Sequence, residues 1–130
     1  MRYVLLVLGA LIVAGTSALA HHSYGATYNT KKEIKLEGKL LQFSYRNPHS
    51  FVTVQAPDED GTMQRWSVEW SGTSQLANTG ITPESLKVGD QVVITARPSR
   101  VSADYRALMV RLVRPSDGFT WGARGGEVVD

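Results

Sequence analysis

The sequence predicts an all-β domain with a short helix, a five-stranded OB-like barrel preceded by a signal helix. Three observations carry that prediction. Five segments have strand composition, a short helical segment falls between the third and fourth, and the first strand is long with an apolar phase that flips midway. A long, bent first strand suits a small closed barrel because it must pair on both sides. An SH3-like or six-stranded barrel is the alternative. An immunoglobulin-type sandwich has more strands than this chain offers.

The chain opens with Met1-Arg2, an almost unbroken apolar run from Tyr3 to Ala14, and Ala18-Leu19-Ala20. A charged start, a short apolar core and a small-x-small box make a secretory signal. The run is shorter than the roughly twenty residues a membrane span needs. The expected division is therefore a signal peptide over 1–20, an N-terminal arm over 21–32, a barrel over 33–114 and a flexible tail over 115–130. The expected location is periplasmic or secreted, with no membrane attachment after signal removal.

The arm, Ser23 to Lys32, is polar with Gly25 and Asn29 and reads as extended rather than helical. The first strand runs from Glu33 to Tyr45. Ile34, Leu36 and Leu40 share one parity and Leu41, Phe43 and Tyr45 the other, which requires a bulge or bend near Gly38. Arg46-Asn47-Pro48-His49-Ser50 is a turn, since proline restricts the residue before it. Phe51 to Ala56 is a β-branched second strand, and Asp60-Gly61 marks the hairpin loop after it.

The third strand, Met63 to Trp70, places Trp66, Val68 and Trp70 on one face and Arg65, Ser67 and Glu69 on the other. Thr73 to Asn78 is the short helix, capped by Thr73 or Ser71 and stopped by Gly80. Thr82-Pro83-Glu84 begins a further helical turn. The fourth strand covers Val92 to Arg97 and stops at Pro98. After a polar loop, the fifth runs from about Arg106 to Val113 with Leu108, Val110 and Leu112 inward. The glycine-rich tail is expected to be loosely ordered at its end.

With no cysteine, disulfides, thiolate metal sites and thiol catalysis are excluded. The formal charge is +2, and losing Arg2 with the signal lowers it to +1, too little to suggest nucleic acid. No G-x-S-x-G, H-E-x-x-H, phosphate loop or dinucleotide fingerprint occurs, so an ordinary hydrolase is disfavoured.

The three histidines are His21, His22 and His49. Cleavage after Ala20 makes His21 the amino terminus, whose amine and imidazole can close a chelate ring on one ion. A third nitrogen from His49 completes a T-shaped histidine brace that suits copper or a similar divalent metal. His22 is an alternative third ligand or a supporting group. Glu69 is either a solvent-facing residue paired with Arg65 or Lys39, or a metal ligand or general base beside His49. The bland reading makes these histidines accidental arm residues and a turn cap. Trp66 and Trp70 are by default core, and alternatively an aromatic platform for a sugar.

The start His21-His22-Ser23-Tyr24, Leu36-x-Gly38, the Asn47-Pro48-His49 turn, Trp66-x-x-Glu69 and Leu86-x-x-Gly89-Asp90-x-Val92 together resemble a family of small exported Gram-negative bacterial proteins. That family is catalogued only as a domain of unknown function. The similarity spans roughly His21 to Gly118 and implies an exported β-rich domain without assigned activity. It marks His21, His22, His49 and Glu69 as a polar signature, while Trp70 departs from the small or aliphatic residue common there. The expected function is a binder of metal rather than an enzyme, serving metal buffering or delivery. A metal-free envelope module for a glycan, peptide or protein is the rival, and a redox activity on copper comes third.

Overall fold

The computed structural model describes residues 23–122, so the expected signal segment, His21, His22 and the end of the tail lie outside the described residues. A four-residue helix, α1 (Tyr24–Thr27), leads into β1 (Ile34–Ser44), β2 (Phe51–Pro57) and β3 (Met63–Glu69). Helix α2 (Thr73–Asn78) precedes β4 (Gln91–Pro98), and a 3-10 turn at Ser102–Asp104 precedes β5 (Arg106–Arg114) and β6 (Phe119–Gly122).

The pairings β1–β2, β2–β3, β1–β4 and β4–β5 are antiparallel, and a short parallel pairing of β3 with β5 closes the ring. The closed order β1-β2-β3-β5-β4, with α2 between β3 and β4, is the OB-like arrangement the strand order predicts. Strand β6 is an addition paired to β5, and it extends the ordered chain past the expected boundary at residue 114. Among the described residues no helix is long and apolar enough to cross a membrane.

The first strand serves both sides of the barrel through the expected irregularity. Leu40 pairs with Val54 and Gln42 with Thr53, so Leu41 is the bulged residue. Gly38 does a separate job. A Cβ there would stand 1.9 Å from the Gln55 carbonyl oxygen, so only glycine lets β1 cross this close to β2.

The core fills from alternating inward positions: Leu36 and Leu40, Val52 and Val54, Trp66 and Val68, Val92 and Ile94, and Leu112. Each fully buried aliphatic side chain stabilises by roughly 1.5–3 kcal/mol. Leu76 of α2, Ile81 and Leu86 join the same core. Tyr45 ties this segment down through hydrogen bonds to the Thr73 and Ile81 carbonyls, at 3.0 and 3.3 Å.

Four expectations need correction. The arm is not wholly extended, because Tyr24–Thr27 makes a helical turn closed by the Tyr28 N–H on the Tyr24 carbonyl. Thr82–Ser85 is a hydrogen-bonded turn without a following helix. In β5 the buried residues are Ala107, Met109 and Leu112, not Leu108 and Val110. There Thr95 pairs with Arg111 and Ala96 with Met109, so Val110 is an extra residue that shifts the phase. The cap of α2 comes from neither Thr73 nor Ser71. Gly72 holds the N-cap position, and the Asn47 side chain accepts the Thr73 N–H at 2.9 Å.

Candidate functional site

The Asn47-Pro48-His49 turn owes its shape to contacts on every side. Its Asn47–Pro48 peptide is cis. The Asn47 side-chain oxygen accepts from both the backbone N–H and the hydroxyl of Thr73, tying the turn to the start of α2. A Cβ on Gly72 would lie 2.7 Å from the Pro48 carbonyl oxygen and 2.9 Å from Asn47 Oδ1, so helix and turn meet at van der Waals limit. Ser50 is fully buried; its hydroxyl donates to the Arg46 carbonyl and accepts the Arg46 N–H, both at 3.1 Å. Its backbone bonds to Trp70 and Ser71 lock the turn beside the end of β3.

At that end stands Glu69. Its strand parity is outward, yet it is only 7 % exposed. The cover comes from the His49 turn on one side and from Tyr28 of the arm on the other. His49 donates Nδ1–H to Glu69 Oε1, and the Tyr28 hydroxyl donates to Glu69 Oε2. Arg106 reaches to 3.9 Å from the same Oε2. A buried carboxylate is tolerated only with such partners. The solvent-facing pairing of Glu69 with Arg65 or Lys39 is therefore not what forms.

Tyr28 is 1 % exposed, and its anchoring explains how a polar arm becomes ordered. It bridges to Ser99, the Asn29 N–H binds the Pro98 carbonyl, and Arg100 binds the Thr27 and Gly25 carbonyls. Burial pushes the Tyr28 hydroxyl well above the ordinary tyrosine range, and its bond to Glu69 adds to the shift. Tyr24 is also raised, by burial first and then by the Glu69 charge.

With Nδ1 turned to Glu69, Nε2 is the ring nitrogen left for other partners. The Tyr24 hydroxyl lies 3.4 Å from that nitrogen, and the two rings are tilted by 30° with centroids 5.8 Å apart. The result is a chain of contacts from Tyr28 through Glu69 and His49 to Tyr24. It forms the wall of a groove of about 360 Å³ whose lining also includes Ser23, Thr27, Pro48, Phe51 and Arg106.

The structure thus brings together two of the four predicted site residues, His49 and Glu69. His21 and His22 lie outside the described residues. Among the described residues no group of three His, Asp or Glu side chains is arranged to hold a metal. Trp66 and Trp70 are core side chains, 8 % and 2 % exposed, so neither offers a sugar a platform. Sequence reasoning missed Tyr28, Tyr24 and Arg106. The four-residue spacing of the two tyrosines, one helical turn in an otherwise polar arm, was the available signal.

A family model described as Family of unknown function (DUF6152) matches residues 10–106. No curated protein matches, and no solved structure matches.

Proposed function

The chain belongs to the DUF6152 family of unknown function, and from that premise we propose that it is an exported barrel that binds copper or a similar divalent metal. The ligands are the amine and imidazole of a processed His21 together with His49 Nε2. One observation carries this reading. His49, oriented by a buried carboxylate on Nδ1, shares its groove with Ser23, two residues after His21.

A carboxylate on one imidazole nitrogen fixes the tautomer and raises the basicity of the other, the usual support for a metal-bound histidine. Glu69 has both oxygens engaged by Tyr28 and His49, so its role is to orient the ligand. Ser23 lines that groove, and two residues of chain span at most about 7 Å, which is the reach the proposed ligand set requires. His22 is the alternative third ligand. Tyr24, in contact with Nε2, is the group an incoming ion displaces. Imidazole and amine nitrogens favour Cu(II) over the other first-row divalent ions. Buffering or delivery of the metal is the corresponding task.

The test is competitive Cu(II) titration of protein processed after Ala20, beside the same chain with Met placed before His21. One equivalent bound tightly by the first, with strong weakening in the second, supports the reading. Affinity no better than that of a free peptide with the same amino-terminal sequence overturns it.

A further inference from the structure

Two arginines of β5 contrast sharply. Arg114 has its guanidinium filled: it donates to the Ser85 carbonyl at 2.9 Å, to Asp90 at 2.7 Å and to Asp117 at 2.9 Å, and it lies over the Phe119 ring. Arg106, at the other end of the strand, has a side chain 44 % exposed, and its nearest carboxylate oxygen is Glu69 Oε2 at 3.9 Å. That distance is beyond hydrogen bonding, and the oxygen already accepts the Tyr28 hydroxyl. A guanidinium offers five N–H donors in a planar fork. Arg114 is a structural arginine, whereas Arg106, beside the Tyr28 hydroxyl whose ionisation its charge favours, keeps fork donors beyond those two neighbours.

The backbone directs it there. Tyr105, just before Arg106, is the non-glycine residue among those described with positive φ, at 44°. An aromatic residue in the left-handed region is strained. The conformation is held by the Ser67 N–H on the Tyr105 carbonyl at 2.9 Å and by the Tyr105 ring edge-on to Trp66 at 5.3 Å. Out of this kink β5 starts with Ala107 buried and Arg106 turned to the groove beside His49. Ser23, Tyr24 and Thr27 bring hydroxyls to that groove, and Pro48 and Phe51 bring apolar surface. At about 360 Å³ it sits at the lower end of small-molecule pockets.

The geometry points to a subsite for a small carboxylate-bearing molecule, with the carboxylate paired in two-point fashion to Arg106 and the body against Phe51 and Pro48. Planar two-oxygen anions match the guanidinium fork, which is where Arg differs from Lys. Glu69 does not block this, because Tyr28 and His49 donate to its two oxygens and disperse its charge. The subsite stands on Arg106 alone and needs no metal.

The test uses EDTA-stripped processed protein, titrated with sodium benzoate and separately with inorganic phosphate, read by the Arg Nε–H and amide NMR signals. Saturable benzoate shifts are expected at Arg106 and at residues 23–27. Arg106→Gln weakens the binding by about tenfold or more, and Arg106→Lys restores only part of it. If near-UV circular dichroism shows that Arg106→Gln disturbs the fold, the Arg106→Lys comparison decides. Shifts that fail to saturate, or that persist unchanged in both variants, overturn the subsite. Tighter binding of phosphate than of benzoate at the same signals overturns the carboxylate assignment. With no metal in the sample, neither result bears on copper binding, and a failed copper titration leaves this test intact.

Discussion

Replacing Tyr28 with phenylalanine removes one oxygen from the protein and leaves the ring packing unchanged. The lost group is the hydroxyl that donates to Glu69 Oε2. Glu69 is only 7 % exposed, so water has little room to take that place. A hydrogen bond to a charged group contributes about 1.5–3 kcal/mol. Arg106, 3.9 Å away and beyond hydrogen-bond distance, compensates little of it. The expected loss is about 2 kcal/mol, which for a domain of this size lowers Tm by roughly 8–16 °C. Urea and thermal unfolding followed by tryptophan fluorescence measure it. The cause is isolated by a double-mutant cycle with Glu69→Leu, in which the two changes should couple by about 1–2 kcal/mol. A coupling near zero would refute the claim that Tyr28 acts through Glu69, whatever the single-mutant cost.

Tyr28 also predicts a pH response. Its folded-state value is raised, so its contribution is complete below the ordinary tyrosine value near 10 and is lost as pH rises beyond it. Wild type should lose stability more steeply than Tyr28→Phe above about pH 10 in pH-dependent urea melts. At the acid end, burial acts to raise Asp90, but the Lys87 N–H and Arg114 outweigh it and hold Asp90 low, and Arg114 also lowers Asp117. These depressed carboxylates stabilise above their ordinary range near pH 4 and lose that contribution as pH falls through their folded values. Arg114→Met should therefore flatten the acid limb of the stability profile and loosen β6, seen as faster amide exchange at Phe119–Gly122. Gly72→Ala forces a methyl group to within 2.7 Å of the Pro48 carbonyl, so the His49 turn must shift. The expected cost is about 1–3 kcal/mol, with displaced His49 ring signals in NMR. Unchanged ring shifts would contradict the role given to that contact.

Most of the barrel was legible in the sequence because its strands follow a period of two and its turns carry glycine and proline at fixed places. The phase flip across Leu40 and Leu41 announced the β1 bulge. The second bulge, at Val110, left no such mark, since Leu108, Val110 and Leu112 make an unbroken alternation of apolar residues. The order of β6 depends on partners that spacing cannot reveal, such as the Trp121 N–H on the Thr79 hydroxyl and the Trp121 ring against Trp70. Half of the site was readable as residue types, His49 and Glu69. Their coupling depends on Tyr28, which lies 41 positions before Glu69 in sequence and is buried only once the arm folds over the barrel.

The proposed metal site joining His49 Nε2 to the processed amino terminus is tested most directly by the Cu(II) EPR spectrum of protein beginning at His21, loaded with one equivalent of copper and compared with its His49→Ala variant. A single nitrogen-rich species is expected, whose superhyperfine pattern loses one nitrogen in the variant. Identical spectra from the two proteins would contradict it.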